Sequence, residues 1–119
     1  MAKFIKQGRY GRHVTPPCGT VGLGTCVGLF VSSPPGWFIA HIDCNISEPR
    51  RKHDGAWNLI VESVVRQLGQ KCGGGKGRVL VASGGWGNKS TEAILQGIRN
   101  WAGSADVRKI ASWEYRITS

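Results

Sequence analysis

The chain contains apolar runs of the length and spacing typical of β-strands. Two of them, residues 27–31 and 37–42, lie on either side of a serine, proline and glycine cluster at 32–36. Such runs around a connection of about five residues predict a β-hairpin. Nearer the C-terminus, an apolar run at 79–82 predicts a buried strand, and alternation over 113–117 predicts a final half-buried strand.

Two other segments repeat their apolar residues every three to four positions, as one face of a helix does. The first begins after Asp54, a suitable N-cap, and its periodicity ends at Gly69. Its apolar face comprises Trp57, Ile60, Val61, Val64, Val65 and Leu68. The second is predicted from about residue 90 to residue 102, with Gly103 just past its end. The order β-β-α-β-α-β predicts an α+β fold, a small mixed, mainly antiparallel sheet or sandwich with two helices packed on it.

The composition of the chain indicates one globular domain. Its 119 residues, 40% of them hydrophobic, predict a single domain spanning 1–119 and argue against disorder. Residues 1–13 are basic and interrupted by glycine, which predicts a loose segment or, alternatively, an edge segment. Residues 1–12 lack the apolar core of a secretory signal, and no apolar run approaches the roughly 20 residues of a membrane span. We therefore expect a monomeric cytoplasmic protein without membrane contact, with secretion or translocation as the alternative.

The charge of the chain favours an anionic partner. Lys and Arg total 16 against 7 Asp and Glu, which gives a formal net charge of +9. A basic balance of this size neutralises phosphates and attracts polyanions. One functional hypothesis is therefore a non-enzymatic module that binds nucleic acid, such as RNA, or another protein. It stays open as the alternative to an enzyme.

The four cysteines, at positions 18, 26, 44 and 72, give weak support for a metal site. None belongs to a CxxC pair, the usual spacing of a structural zinc site. An even number of cysteines is compatible with disulfides, but disulfide frameworks belong mainly to secreted proteins. We expect neither a metal ion nor a cofactor.

The predicted hairpin places Cys26 close to a histidine. If the turn is centred between Ser33 and Pro34, Cys26 lies directly opposite His41 on the partner strand. The Cβ atoms of directly opposed residues are about 4.5–5.5 Å apart, within the reach of a catalytic thiol and imidazole. A slip of one residue would place the two side chains on opposite faces. From spacing alone, a catalytic pair and a pair of ordinary hairpin neighbours are both open.

Four nearby residues are suited to assist such a pair. Backbone amides around Gly24 and Thr25 can approach a substrate carbonyl and stabilise an oxyanion. Asp43 lies two residues beyond His41, on the same face of the strand, and can orient the imidazole. The hydroxyl of Thr20 is a second candidate for that orienting role.

Two residues that follow the predicted strand at 79–82 are candidates for lining a substrate pocket. Ser83 ends the strand, and Trp86 follows a pair of glycines. Both lie near the C-terminal end of a strand, where side chains can project into a cleft. For Trp86, packing in the core is the alternative interpretation.

The residues before Cys26 resemble those of the CheD family, the chemoreceptor glutamine deamidases. Residues 20–26, TVGLGTC, match the family's threonine six positions before its nucleophilic cysteine, and Ala40-His41 matches the context of its histidine. The resemblance implies that Cys26 is the nucleophile, His41 the base and Thr20 the residue that orients the base. It also implies a CheD-like fold.

The chain is also similar to the protein N-terminal asparagine amidohydrolases. Residues 25–26 and 41–43 match their Thr-Cys and His-x-Asp motifs, and residues 79–86 match their apolar strand that ends in Gly-Gly-aromatic. The two resemblances together cover about residues 18–103, which is most of the chain.

These resemblances imply a cysteine-dependent protein amidohydrolase, or deamidase. Such an enzyme hydrolyses the side-chain amide of Gln or Asn in a protein or peptide to Glu or Asp. It releases ammonia, passes through a cysteine thioester and needs neither metal nor cofactor. The basic surface would suit an acidic protein substrate. The choice between Gln and Asn, and between an internal and an N-terminal target, stays open.

Overall fold

The fold consists of two β-sheets and two helices. The computed structural model describes residues 2–43, 63, 65–71, 78–103 and 106–118. The strands in these ranges are β1 (Lys3–Ile5), β2 (Tyr10–Val14), β3 (Cys18–Thr20), β4 (Val27–Ser33), β5 (Gly36–Ile42), β6 (Val79–Ser83), β7 (Val107–Ala111) and β8 (Tyr115–Ile117). The helices are α1, described over residues 65–71, and α2 (Lys89–Ala102).

Hydrogen bonding arranges the strands in two sheets. The three-stranded sheet has the order β1-β3-β8, and the five-stranded sheet has the order β2-β5-β4-β6-β7. The β1–β3 and β6–β7 pairs are parallel, and the other pairs are antiparallel. This architecture confirms the predicted α+β class, with mixed, mainly antiparallel sheets and two helices packed against them.

The five-stranded sheet separates two layers of hydrophobic core, because successive side chains of a strand point to opposite faces. The layer beneath the helices, the helix-side core, contains Val27, Leu29, Val31, Phe38, Ala40, Ile42, Val65, Val79, Val81, Ala93, Ile94, Leu95 and Ile98. The layer between the two sheets, the inter-sheet core, contains Ile5, Val14, Cys18, Leu23, Cys26, Phe30, Ile39, Leu80, Ala82 and Ile117. The candidate nucleophile thus belongs to the layer between the sheets.

The β4–β5 hairpin forms where the sequence predicts it, but its register differs from the predicted one by two residues. The ladder continues into the predicted connection and leaves a turn at residues 34–35. His41 therefore pairs with Gly28, and the prediction that it directly opposes Cys26 is wrong. Because the shift is an even number of residues, His41 still lies on the same face as before.

The N-terminal segment forms two edge strands, which is the alternative that the sequence left open beside a loose segment. β1 is an outer strand of the three-stranded sheet, and β2 is an outer strand of the five-stranded sheet. Ile5 in β1 and Val14 in β2 are buried in the inter-sheet core. Backbone pairing and one buried apolar side chain per strand are enough to order this basic segment.

Helix α1 continues past its predicted end at Gly69 and reaches residue 71. A Cβ atom on Gly69 would lie 2.0 Å from Nε1 of Trp101 in α2, so the glycine marks a contact between the helices. The predicted N-cap Asp54 and the apolar positions 57–64 lie outside the described residues. Within the described ranges, no helix is long and apolar enough to cross a membrane.

The later elements lie close to their predicted positions. β6 extends one residue beyond the predicted 79–82. Helix α2 begins after Asn88, whose Oδ1 accepts a backbone N–H of the first turn at 3.0 Å, and ends at Gly103 with φ 64°. β7 has no counterpart among the predicted strands, because the exposed Arg108 and Lys109 interrupt its apolar pattern.

We expect Gly69→Val to destabilise the protein by about 2 kcal/mol in urea unfolding, because the added side chain overlaps the Trp101 indole. On a Trp101→Ala background the same substitution should cost much less, since the space is then open. Gln70→Val, at an exposed position of α1, controls for the low helix propensity of valine. Equal costs in both backgrounds would contradict the contact between the helices.

Candidate active site

His41 lies between the two sheets and is held by a threonine of the opposite sheet. Its side chain is 3% exposed, and its Nδ1 atom is 2.8 Å from Oγ1 of Thr20, a buried residue of β3. The same Oγ1 atom is 2.7 Å from the backbone carbonyl oxygen of Ile5 in β1. Three strands from both sheets therefore converge on one imidazole.

These contacts determine which nitrogen of His41 carries the hydrogen. A threonine hydroxyl has one hydrogen to donate and the Ile5 carbonyl can only accept, so Thr20 donates to Ile5. Oγ1 of Thr20 must then accept the hydrogen bond from His41, which places the ring hydrogen on Nδ1. The other ring nitrogen, Nε2, keeps its lone pair, as a general base requires.

The Nε2 atom of His41 is buried and has no hydrogen-bond partner within the described part of the chain. Buried polar atoms of native proteins are nearly always paired, so an unpaired one needs a physical reason. A lone pair that takes up a proton only during a reaction provides that reason. The orphaned nitrogen and the fixed tautomer together give His41 the properties of a base.

The protonation equilibrium of His41 is shifted toward the neutral imidazole. Burial lowers the pKa of His41 below the ordinary value of a histidine, and the nearby Asp43 carboxylate offsets part of this by raising it. The net direction is downward because the imidazolium loses more solvation energy than the carboxylate returns. At neutral pH the ring is therefore in its basic form.

Cys26 lies in the bend before β4 and is 7% exposed. Its Sγ atom is 3.9 Å from Oδ1 of Asp43, the residue that follows β5. If the β4–β5 register is continued by one pair, Cys26 stands opposite Asp43 and diagonal to His41. Diagonal neighbours on one face have Cα atoms about 7–8 Å apart, within reach of long side chains. The Cys26 thiol, the Asp43 carboxylate and the His41 imidazole therefore lie at the same end of the β4–β5 hairpin and on the same face of the sheet.

Gly28 makes room for the contact between Thr20 and His41. It pairs directly with His41 in the β4–β5 ladder. A Cβ atom at Gly28 would lie 3.0 Å from Cγ2 of Thr20 and 3.1 Å from Cε1 of Phe30, closer than nearly all real contacts. This role of Gly28 is not among the predictions from the sequence, although a glycine inside an apolar strand is a signal of close approach by another group.

The loop before Cys26 is fixed by hydrogen bonds to three other segments. The N–H of Leu23 donates to the carbonyl of Trp113 at 2.8 Å, and the carbonyl of Leu23 accepts the N–H of Gly84 at 2.6 Å. The hydroxyl of Thr91 in α2 donates to the carbonyl of Thr25 at 2.7 Å. The segment predicted to supply oxyanion-binding amides therefore has a defined backbone position beside the nucleophile.

Ser83 and Trp86 lie on the helix side of the five-stranded sheet, whereas Cys26 lies in the inter-sheet core. Ser83 has the strand parity of the β6 residues in the helix-side core, and its Oγ accepts the N–H of Gly85 at 3.0 Å. Trp86 packs against the same helix-side core, and its Nε1 donates to the carbonyl of Ile110 at 2.7 Å. For Trp86 these contacts support the alternative interpretation, packing in the core.

Trp113 adjoins the site, although the sequence pattern predicts an ordinary half-buried strand residue there. β8 begins only at Tyr115, and the Trp113 side chain is 68% exposed. A Cβ atom on Gly24 would lie 3.5 Å from the indole, and one on Gly84 would lie 2.9 Å from it. Because this contact joins three segments that are distant in sequence, no local pattern indicates it.

The described residues contain no cluster of three His, Cys, Asp or Glu side chains that could hold a metal ion. Within the described residues, neither Cys18 nor Cys26 forms a disulfide. Burial raises the pKa of the Cys18 thiol, which lies in the inter-sheet core, so this cysteine stays protonated and contributes packing. Cys44 and Cys72 lie outside the described residues.

Compared with known proteins, the chain matches no family model and has no significant match to a curated protein. The functional inference therefore depends on the geometry of four residues and on the sequence motifs around them. These residues are Thr20, His41, Asp43 and Cys26.

Replacing Thr20 by valine should remove the acceptor for the Nδ1 hydrogen of His41 and the hydroxyl that donates to the Ile5 carbonyl. Since these groups are buried, we expect a loss of about 1–3 kcal/mol in the free energy of unfolding. Thr20→Ser, which keeps the hydroxyl, should retain most of the stability. Heteronuclear NMR of the imidazole nitrogens should show the hydrogen on Nδ1, and a wild-type spectrum with it on Nε2 would overturn the assignment.

The lowered pKa of His41 predicts that stability decreases at acidic pH. Below about 6.5, the ordinary pKa of histidine, the unfolded chain takes up a proton that the folded protein resists until a lower pH. The free energy of unfolding should therefore fall as the pH drops from about 6.5 toward the folded-state pKa, and be fully retained above that window.

Urea unfolding at a series of pH values measures this dependence. His41→Gln should flatten it, because glutamine does not titrate. His13→Gln, at an exposed position of β2, is the matched control and should leave the slope intact. A slope that His41→Gln leaves unchanged would mean that other groups cause it.

Proposed function

We propose that the protein is a cysteine-dependent amidohydrolase that hydrolyses the side-chain amide of glutamine or asparagine in a protein or peptide. The observation that supports this most directly is the buried Nε2 of His41, which is unpartnered among the described residues and kept unprotonated by the contact with Thr20. Cys26 lies on the same face of the sheet, and the motifs around both residues resemble those of the CheD deamidases and the N-terminal asparagine amidohydrolases.

In the proposed mechanism, Nε2 of His41 takes the proton of the Cys26 thiol, and the thiolate attacks the carboxamide carbon. Backbone amides of the loop at Thr25 and Cys26 stabilise the tetrahedral oxyanion. The imidazolium then returns the proton to the departing nitrogen, which leaves as ammonia. A water molecule, deprotonated by His41, attacks the resulting thioester, releases Glu or Asp and restores the thiol.

Thr20 and Asp43 have different tasks in this mechanism. The contact between Thr20 and Nδ1 of His41 supports Thr20 as the residue that orients the ring. The Asp43 carboxylate raises the pKa of His41 and therefore favours the imidazolium that forms when the thiol proton is transferred.

The burial of Cys26 favours a side-chain amide as the substrate over a backbone peptide bond. With 7% of the residue exposed, the sulfur is better suited to attack a slender group. The carboxamide of Gln or Asn projects from the backbone on a short methylene arm, whereas a peptide carbonyl is flanked by chain on both sides. The net charge of +9 would attract an acidic protein that carries such a residue.

Mass spectrometry of peptides and acidic proteins incubated with the enzyme tests the proposal. Wild-type protein should convert Gln or Asn to the acid, release ammonia and incorporate oxygen from isotopically labelled water. Cys26→Ala should reduce the rate on the order of 10⁴-fold or more while the fold is retained. Cys18→Ala, which removes the other thiol buried in the inter-sheet core, is the matched control and should keep the activity.

The proposal fails if wild-type protein releases no ammonia from either amide and Cys26 does not react with iodoacetamide at neutral pH. It also fails if folded Cys18→Ala loses as much activity as Cys26→Ala. RNA binding that weakens steeply with salt and is indifferent to Cys26→Ala would then favour the nucleic-acid-binding alternative.

A further inference from the structure

Trp113 is the most exposed large hydrophobic residue in the described part of the chain, at 68% compared with 45% for Val21 and 42% for Tyr10. Tryptophan is usually mostly buried because of its large apolar surface. Tryptophan is also enriched where proteins bind other molecules, since the rigid indole offers a large contact area. An exposed indole beside the loop that leads to a candidate nucleophile is therefore well suited to bind a ligand.

Hydrogen bonds hold the backbone that carries this indole. The carbonyl of Trp113 accepts the N–H of Leu23 at 2.8 Å, and the preceding N–H, from Ser112, donates to the carbonyl of Ser83 at 3.0 Å. The Ser112 hydroxyl bonds to the carbonyl of Glu114, on the other side of Trp113. The indole is therefore presented from a fixed loop, which lowers the entropic cost of binding a ligand to it.

The indole lies against the loop that leads to Cys26. A Cβ atom on Gly24, two residues before the nucleophile, would lie 3.5 Å from the Trp113 indole. A Cβ atom on Gly84 would lie 2.9 Å from Cδ1 and Nε1 of Trp113, so the indole fills the space that this glycine leaves. Gly84 itself donates its N–H to the carbonyl of Leu23 in the same loop, which fixes the indole beside this loop.

Two different surfaces therefore lie near Cys26. One is the carboxylate of Asp43, 3.9 Å from the sulfur, and the other is the indole of Trp113, beside the loop at Gly24. Consecutive residues of a peptide are about 3.8 Å apart at Cα, so a residue next to a reacting Gln or Asn can reach one of these surfaces.

We propose that the Trp113 indole binds the substrate residue adjacent to the target amide, so that the enzyme prefers Gln or Asn beside an aromatic or aliphatic residue. This inference rests on the proposed amidohydrolase function. Trp113 is then a specificity-determining residue, which contacts the substrate without taking part in bond making or breaking. Burial of an apolar neighbour against the indole supplies the binding energy.

Kinetics with capped peptides test the preference. Each peptide carries one Gln or Asn, with Phe, Leu, Ser or Gly directly before or after it and glycine elsewhere. Wild-type protein should have a kcat/KM at least about tenfold higher for Phe and Leu neighbours than for Ser. Trp113→Ala should abolish this preference, and Trp113→Phe should retain most of it.

Val21→Ala is the matched control, because it removes an exposed apolar side chain that points away from the inter-sheet core and should leave the preference unchanged. A preference for apolar neighbours that survives Trp113→Ala would overturn the inference, as would the absence of any preference in wild-type protein. In both cases deamidation itself would still occur, so the proposed function would stand.

A binding measurement tests the role of Trp113 independently of deamidation. In Cys26→Ala protein, the Nε1–H NMR signal of Trp113, assigned from Trp113→Phe, should shift when the Phe peptide is added and respond much less to the Ser peptide. Such a shift without deamidation by wild-type protein would support the binding role of Trp113 and refute the proposed function. An unshifted signal at peptide concentrations that saturate the wild-type enzyme would refute the role of Trp113.

Discussion

The hydrogen bond between Thr20 and His41 is the interaction on which the arrangement of the two sheets and the chemistry both depend. It crosses the inter-sheet core, and its direction is fixed because the Thr20 hydroxyl donates its own hydrogen to Ile5 in the edge strand β1. The short N-terminal strand is therefore needed for the protonation state of a histidine in a different sheet. The absence of a Cβ atom at Gly28 is the steric condition that allows this approach.

The sequence predicts the faces of the central strands better than their register. Alternation along β4 and β5 correctly places His41 and Asp43 on one face, because the two-residue period does not depend on the turn. The connection at 32–36 contains five residues that all favour turns, and composition does not show which two form the loop. Because the register is shifted by two residues, Asp43 instead of His41 lies opposite Cys26 when the β4–β5 ladder is continued by one pair.

What the sequence did not predict depends on contacts between distant segments. β2 and β7 are edge strands with several exposed polar residues, and they are stabilised by pairing with strands far away in the chain. Gly69 has the local signature of a helix end, but the helix continues because the Trp101 indole needs the space that the glycine leaves. Trp113 has the alternation of a strand residue, but the two glycines that it covers lie in other loops.

The partner of Nδ1 also explains how a buried imidazole can act as a base at neutral pH. A carboxylate at that position would favour the imidazolium and raise the pKa, whereas the Thr20 hydroxyl is neutral, and burial then lowers the pKa of His41. The Asp43 carboxylate instead lies beside the Cys26 sulfur. Proton transfer from Cys26 would thus create an imidazolium near two anions, and a buried positive charge is tolerated when it is paired. The neutral Thr20 hydroxyl orients the His41 ring and leaves it basic before the proton transfer. The separate Asp43 carboxylate stabilises the imidazolium that the transfer creates.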